Sequence, residues 1–113
     1  MCTLIVAASM WKSVPLLVAA NRDEQLDRPA EPPSVWENNG VNVLAPKDLQ
    51  AGGTWLGVNA LGLFVAITNR FTTEVRKDLR SRGQLVVDAL RMSTAEAAAG
   101  AVGNGSPSHY NPF

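Results

Sequence analysis

Two uninterrupted apolar runs at the start of the chain restrict its fold more than any other feature. Residues 2–9 and 15–21 are rich in β-branched and small apolar side chains, and only five residues separate them. Apolar runs without alternation are typical of strands covered on both faces, and so short a connection favours an antiparallel hairpin. A helical interpretation of the second run is weakened by Pro32 and Pro33, which follow soon after without a capping residue.

Further strand-like runs lie in the middle of the chain. Residues 54–59 and 63–69 form a second pair, joined by three residues, and a short strand is predicted over residues 41–45. Residues 25–40 are rich in proline and polar side chains, and they are predicted to form a loop. The paired glycines Gly52–Gly53 mark a place where the backbone must approach a neighbour closely or adopt a positive φ.

The period of the sequence changes to that of a helix after residue 80. Ser81 and Gln84 form a capping-box pattern, and Ser93 with Glu96 repeats it before a run of alanines. The pattern predicts two helices, or one helix broken near Ser93. The apolar residues expected on the buried face of the first are Leu85, Val86, Ala89 and Leu90.

Together these patterns predict an α+β fold in a single domain of residues 1–113. The expected sheet is mainly antiparallel and is covered by the helices after residue 81. Its predicted strands are the four apolar runs at residues 2–9, 15–21, 54–59 and 63–69.

Composition narrows the class of function. Apolar residues make up 46% of the 113 residues and charged residues 18%, which is typical of a globular protein with one moderate core. Ten Lys and Arg balance ten Asp and Glu, so the net charge gives no reason to expect a nucleic acid or an anionic membrane as partner. With one cysteine and one histidine, neither an internal disulfide nor a metal or haem-attachment motif is expected, and no cofactor is predicted.

The first twenty residues do not have the pattern of a targeting segment. No basic stretch precedes the first apolar run, and Trp11–Ser13 interrupt it after about eight residues. That length is too short for a bilayer and unlike a secretory signal. A cytoplasmic protein with no membrane span is therefore expected.

Cys2 is the residue that is best suited to catalysis. Removal of Met1 would make it the first residue, where one residue carries both a thiol and an α-amine. A thiol ionises near pH ~8.5 and an α-amine near pH ~8, so at neutral pH the amine can take the thiol proton. The alternative interpretation is an inert, buried cysteine.

Polar residues directly follow the second apolar run. Asn21, Arg22, Asp23 and Glu24 stand at the end of the predicted hairpin, which should return them to the side of Cys2. Strand ends commonly carry functional groups. An ordinary solvated strand end is the alternative interpretation of these four residues.

Five segments of the chain, in order, resemble the NRDE family, which includes the transport and Golgi organization proteins. The matching segments are Met1–Val6, Ala19–Glu24, Asp48–Gly57, Leu63–Asn69 and Arg80–Gly83. Known members continue well past Phe113. The resemblance therefore implies that residues 1–113 are the N-terminal portion of such a domain.

The NRDE family is similar to the N-terminal nucleophile (Ntn) hydrolases of the cysteine type, which include choloylglycine hydrolase and penicillin V acylase. This resemblance implies an αββα sandwich, here only partial. An apolar face would then be left exposed, through which the chain could form an oligomer.

The hydrolase resemblance also implies a catalytic set. Cys2 matches the nucleophile, Asp23 the residue that orients it, and Asn69 the donor to the oxyanion. Arg22 is a further catalytic candidate. The relatives place their arginine at the position of Ala20, however, and strand alternation would turn Arg22 and Asp23 to opposite faces.

Two asparagines are implied as substrate-binding residues. Asn21 matches the asparagine of the relatives' Arg-Asn-x-Asp turn, and Asn59 falls in a run similar to their Asn-x-x-Gly-Leu segment. No residue is implied as a metal ligand, and His109 is expected at the surface.

Two functions remain open at this point. One is an amide or ester hydrolase that acts on a small-molecule substrate through Cys2. The other is a carrier or trafficking protein that keeps the scaffold and binds a hydrophobic, lipid-like ligand or haem. A third interpretation is an unfinished, inactive chain. The three tryptophans, Trp11, Trp36 and Trp55, are expected in the core or a lid.

Overall fold

The computed structural model describes residues 2–70, 72, 75–105 and 107–113. These residues form antiparallel sheets followed by two α-helices, which confirms the α+β class. The strands are β1 (Thr3–Trp11), β2 (Val14–Asn21), β3 (Ala30–Asn38), β4 (Val41–Asp48), β5 (Leu56–Asn59) and β6 (Phe64–Ala66). The helices are α1 (Arg82–Ala89), α2 (Ala95–Gly103) and a short 3-10 helix (Pro107–His109). No helix within the described ranges is long and apolar enough to cross a membrane.

The predicted first hairpin is confirmed. Strands β1 and β2 pair antiparallel, with Thr3 opposite Asn21. The prediction that this hairpin shares a sheet with the later strands is wrong, because it forms a separate two-stranded sheet. Ile5 and Val6 are neighbours that point to opposite faces, and they are 62% and 52% exposed. Both faces of the hairpin are therefore apolar and open.

The second sheet contains a strand that the sequence did not predict. Its order is β3-β4-β5-β6, so β3 is an edge strand formed from residues predicted as loop. Pro32 and Pro33 lie where the register between β3 and β4 shifts, between Glu31 and Ser34. Proline cannot donate to a ladder, and an edge-strand irregularity is one of the few places in a sheet that tolerate it.

The turn between β3 and β4 follows its sequence signal. Asn39 and Gly40 both have positive φ, 50° and 82°, as a two-residue hairpin of the Asn-Gly kind requires. Strand β4 then runs on to Asp48, beyond the predicted end at residue 45.

The core lies between the second sheet and the two helices. Val43 of β4 packs with Val86 and Leu90, and Leu63 packs with Ala89 and Ala98. Three of the four residues predicted on the buried face of α1 thus lie in the core. Burial of these side chains fixes the helices against β4, β5 and β6.

Helix caps agree with the sequence for α1 and differ by one residue for α2. The Ser81 hydroxyl accepts a hydrogen bond from the Gly83 N–H, as the predicted cap requires. For α2 the cap is Thr94, not Ser93, and its hydroxyl accepts from the Ala97 N–H at 3.1 Å. Both residue types can cap a helix, so sequence alone could not separate the two positions.

A close backbone contact sets the position of α1. Gly53 has φ +84°, and a Cβ added there would lie 2.3 Å from the carbonyl carbon of Gly83. The Thr54 N–H donates to the Gly83 carbonyl at 3.2 Å. The close approach predicted at Gly52–Gly53 is confirmed, and it holds the start of α1 beside the end of β4.

Candidate functional site

The end of the first hairpin brings Cys2 to the polar residues that follow β2. Thr3 pairs with Asn21, and the Cys2 thiol lies 3.9 Å from the backbone carbonyl oxygen of Asp23. The predicted placement of this polar cluster beside Cys2 is confirmed. Cys2 is half-buried, so its sulfur is neither sealed in the core nor fully in solvent.

Cys2 lines a cavity of about 690 Å³. Its walls come from the ends of β1 and β2, from β5 and β6, and from the start of α1. Small-molecule sites usually enclose about 300–1,000 Å³, so the volume suits a ligand of modest size. Of the residues predicted from sequence, Cys2, Asn21, Arg22 and Asn69 line this cavity.

Asp23 follows Arg22 in the sequence but lies outside the cavity wall. It is exposed and is not one of the described residues that line the cavity. Its backbone carbonyl oxygen is the acceptor that faces the Cys2 thiol. That its carboxylate holds the amine of Cys2 stays a prediction.

Asn59 is buried away from the cavity, with 4% exposure. Its side-chain N–H groups donate to the carbonyls of Leu90 and Met92 at 3.0 and 2.8 Å. Its side-chain oxygen accepts from the N–H groups of Leu61 and Leu63 at 3.0 and 2.9 Å. These bonds tie the β5–β6 turn to the end of α1. An asparagine before a Leu-Gly turn can signal such a local role.

An ionic cluster that sequence reasoning missed supports the cavity wall. Arg28 donates to Asp48 from Nη2 and Nε, at 2.7 and 3.1 Å from Oδ2. Arg22 Nη2 lies 3.5 Å from the same oxygen and 3.4 Å from Glu24 Oε2. The Asp48 side chain is only 11% exposed, so water screens these pairs less than at an open surface.

Asp48 also organises the backbone next to it. Its Oδ1 accepts hydrogen bonds from the N–H groups of Gln50 and Ala51, at 3.0 and 3.1 Å. Burial raises the pKa of this carboxyl, but the hydrogen bonds from Arg28, Ala51 and Gln50 and the charge of Arg28 outweigh it. The net pKa therefore lies below the ordinary value.

Arg22 is held against an aromatic face. Its Cζ lies 4.2 Å from the centre of the Trp55 ring, within range of a cation–π interaction. Trp55 and Arg22 both line the cavity. The indole therefore acts as part of the wall and fixes a guanidinium there.

The cavity is richer in cations than the chain as a whole. Among the described residues that line it, two are acidic, Glu24 and Asp48, and six are basic. The basic ones are Arg22, Arg28, Arg76, Lys77, Arg80 and Arg82. The described part of the chain contains no group of three His, Cys, Asp or Glu residues that could hold a metal ion. The arrangement favours a ligand with negative charge.

The comparisons with known proteins agree with the resemblance found in the sequence. Residues 1–113 match the model of a family described as Transport and Golgi organisation 2. A Transport and Golgi organization 2 homolog from Mus musculus is 42% identical over 74 residues, which cover 63% of this chain and 26% of that protein. The homolog from Bos taurus is 40% identical over 78 residues, 66% of this chain and 28% of that protein.

A third relative, from Homo sapiens, is 38% identical over 78 residues, again 66% of this chain and 28% of that protein. The chain thus spans little more than a quarter of the length of these relatives. No solved structure matches the chain. Because the family model matches from residue 1 to residue 113, the chain belongs to the Transport and Golgi organisation 2 family.

Proposed function

We propose that this chain is an Ntn-type cysteine hydrolase that cleaves an amide or ester bond through Cys2. The observation that carries the proposal is the placement of the Cys2 thiol on a cavity of about 690 Å³ that Asn21, Arg22 and Asn69 also line. A nucleophile, hydrogen-bonding amides and a fixed cation at one cavity are the groups that acyl transfer requires.

The proposed reaction begins after Met1 has been removed. The free α-amine of Cys2 takes the thiol proton, and the thiolate attacks the substrate carbonyl. The carbon–sulfur bond forms while the carbonyl electrons move to oxygen. When the intermediate collapses, the carbon–nitrogen or carbon–oxygen bond breaks, and the α-ammonium protonates the leaving group. Water then cleaves the thioester and restores Cys2.

Asp23 and Asn69 have separate roles in this scheme. Asp23 holds the α-ammonium of Cys2 by a hydrogen bond, which the position of Asp23 next to the Cys2 thiol supports. Asn69 donates a side-chain N–H to the oxyanion, and removal of one such donor costs about 2.7–4 kcal/mol in other hydrolases. Arg22, fixed by Trp55 and Asp48, adds positive charge to the cavity wall. Asn21 contacts the substrate.

A carrier function is the second candidate. The relatives' names refer to transport, and the cavity has apolar lining from Leu4, Leu56 and Ile67 beside its charged groups. A carrier would bind a lipid-like ligand or haem and would not need the thiol of Cys2. His109 is not one of the described residues that line the cavity, so a haem would need another ligand.

Hydrolysis by the full chain and by two variants tests the proposal. The substrates are a panel of N-acyl p-nitroanilides and p-nitrophenyl esters, with release of the chromophore as the readout. The proposal predicts turnover by the native chain and none by Cys2→Ala. The matched control is Ser13→Ala, on the hairpin turn away from the cavity, which should retain full activity. Absence of turnover, with equal binding of a fatty acid by the native chain and Cys2→Ala, would favour the carrier.

A further inference from the structure

We propose that Arg82 binds a carboxylate of the substrate, so that the compounds cleaved at Cys2 carry a single negative charge near the scissile bond. This inference rests on the proposed function and names the substrate class for the same cavity. Arg82 is the first residue of α1, and both it and Cys2 line the cavity.

Among the residues that the structure describes, Arg82 differs from the neighbouring arginines because it has no acidic partner there. Arg28 pairs with Asp48 at 2.7 Å and Arg80 with Asp88 at 2.7 Å. Over the ranges that the structure describes, no carboxylate forms an ion pair with Arg82. Its Nη1 donates to the carbonyl oxygen of Pro112 at 2.6 Å, which anchors one edge of the guanidinium.

The surroundings of Arg82 leave its charge undercompensated. Burial has the largest effect on its pKa and lowers it, and the positive charge of Arg28 lowers the pKa further. The charges of Glu24 and of the Cys2 thiolate act in the opposite direction but do not cancel these effects. Arg82 therefore lies within electrostatic reach of Cys2, and an added anion would relieve the cost of its burial.

The backbone at Arg82 is held in place beside the cavity, which suits the side chain to bind a carboxylate. The Thr54 N–H donates to the carbonyl of Gly83, and Gly53 packs directly against Gly83. The backbone at the start of α1 is thus held beside the cavity. A planar guanidinium with free N–H groups matches the two oxygens of a carboxylate.

The charge of Arg82 alone matches a ligand with one negative charge. Arg22 and Arg28 already face Glu24 and Asp48, so neither is free to neutralise a second charge. Lys77 is a further cation of the cavity wall that forms no ion pair with the described residues, but it is exposed, so solvent screens its charge. A monocarboxylate is the oxyanion that one guanidinium can neutralise.

Alkylation of Cys2 by two similar reagents tests directly whether Arg82 binds a carboxylate. Iodoacetate and iodoacetamide react alike, because the thiolate displaces iodide and a carbon–sulfur bond forms, but only iodoacetate carries a carboxylate. The rate ratio of iodoacetate to iodoacetamide cancels the intrinsic reactivity of the thiolate. Cys2 is the one cysteine of the chain, so the modification is specific to it.

The ratio should fall about tenfold in Arg82→Gln, the loss expected for one charge-assisted contact. Arg82→Lys keeps the charge and should retain part of the ratio. The matched control is Lys12→Gln, which removes the same charge at an exposed residue of the hairpin turn that does not line the cavity. It should leave the ratio within about twofold, since that charge is exposed and screened.

Competition on the native chain gives a second readout that needs no variant. Acetate should slow the reaction with iodoacetate more than phosphate does at equal ionic strength. An unchanged ratio in Arg82→Gln would overturn the inference, and stronger protection by phosphate would overturn the assignment to carboxylates. If Arg82→Gln does not fold, Arg82→Lys and the competition decide the matter.

This test separates the inference from the proposed function. Alkylation does not require turnover. An arginine-dependent ratio in a chain that hydrolyses nothing would refute the hydrolase proposal and leave the anion site standing. Hydrolysis by the native chain, together with an alkylation ratio that does not change in Arg82→Gln, would refute the anion site and leave the hydrolase proposal standing.

Discussion

Arg28 and Asp48 meet at 2.7 Å across twenty residues of sequence, and their contact joins the loop after β2 to the end of β4. Next to it, the Leu49 N–H donates to the carbonyl of Pro29 at 3.1 Å. These contacts connect the segment that carries Arg22 to the sheet whose strand β5 begins directly after Trp55. The candidate site therefore depends on a link that lies outside any of its sequence motifs.

Replacing Asp48 should destabilise the chain and disturb the cavity. Asp48→Asn removes the charge that faces Arg22 and Arg28 and weakens the acceptor for Gln50 and Ala51. Loss of one partner of a partly buried ionic network costs about 1–3 kcal/mol. Urea denaturation measures the change. The control Asp78→Asn breaks an exposed pair with Arg76 and should cost less than about 1 kcal/mol.

The same carboxylate gives the stability a definite pH dependence. Because the folded-state pKa of Asp48 lies below the ordinary value of 3.8, its contribution is fully present above that value and is lost as the pH falls through the folded pKa. The difference in unfolding free energy between the native chain and Asp48→Asn should thus stay constant near neutrality and shrink below pH 3.8. A difference that grew on acidification would contradict the assignment.

Substitutions at two asparagines should affect different properties. Asn59→Ala should reduce stability, and Asn69→Ala should reduce activity. Asn59→Ala leaves buried carbonyl and N–H groups without partners, so we expect a loss of about 2–4 kcal/mol of unfolding free energy. Asn69 is exposed at the cavity, so Asn69→Ala should change stability by less than about 0.5 kcal/mol. Its turnover should fall about 100- to 1,000-fold if it serves the oxyanion. Equal stability losses would refute the distinction.

The two neighbouring glycines should respond differently to a methyl group. Both have positive φ, which costs a non-glycine residue about 1–2 kcal/mol. A Cβ at Gly52 meets open space, whereas one at Gly53 would collide with the backbone of Gly83. Gly53→Ala should therefore be the more destabilising by at least about 1 kcal/mol. Thermal or urea unfolding of the two variants makes the comparison.

Local patterns predicted the elements that local interactions decide. The β1–β2 hairpin follows from two apolar runs with a short connection, and the cap at Ser81 follows from its side-chain chemistry. Strand β3 could not be found in this way. Pro32 and Pro33 signal a loop locally, but pairing with β4 on one side decides the outcome.

The part of the site that lies at the ends of strands was predictable from the sequence. Cys2, Asn21 and Arg22 are neighbours because of hairpin register, which the sequence indicates. The contact of Arg28 with Asp48 depends on the pairing of β3 with β4, which places Ala30 opposite Asp48, and the sequence predicted a loop in place of β3. The structural role of Asn59 likewise depends on α1, thirty-one residues away at Leu90.

The most direct test of the central claim is the intact mass of the protein before and after exposure to a p-nitrophenyl ester. Cysteine is a small residue after Met1, so the purified chain should begin at Cys2. It should then gain the mass of one acyl group, and Asp23→Asn should gain it more slowly, because the proposed hydrogen bond to the amine of Cys2 is weaker in that variant. The chain unfolded in urea controls for ordinary thiol chemistry and should also react more slowly. A chain that retains Met1, or one that acylates no faster folded than unfolded, would contradict the account.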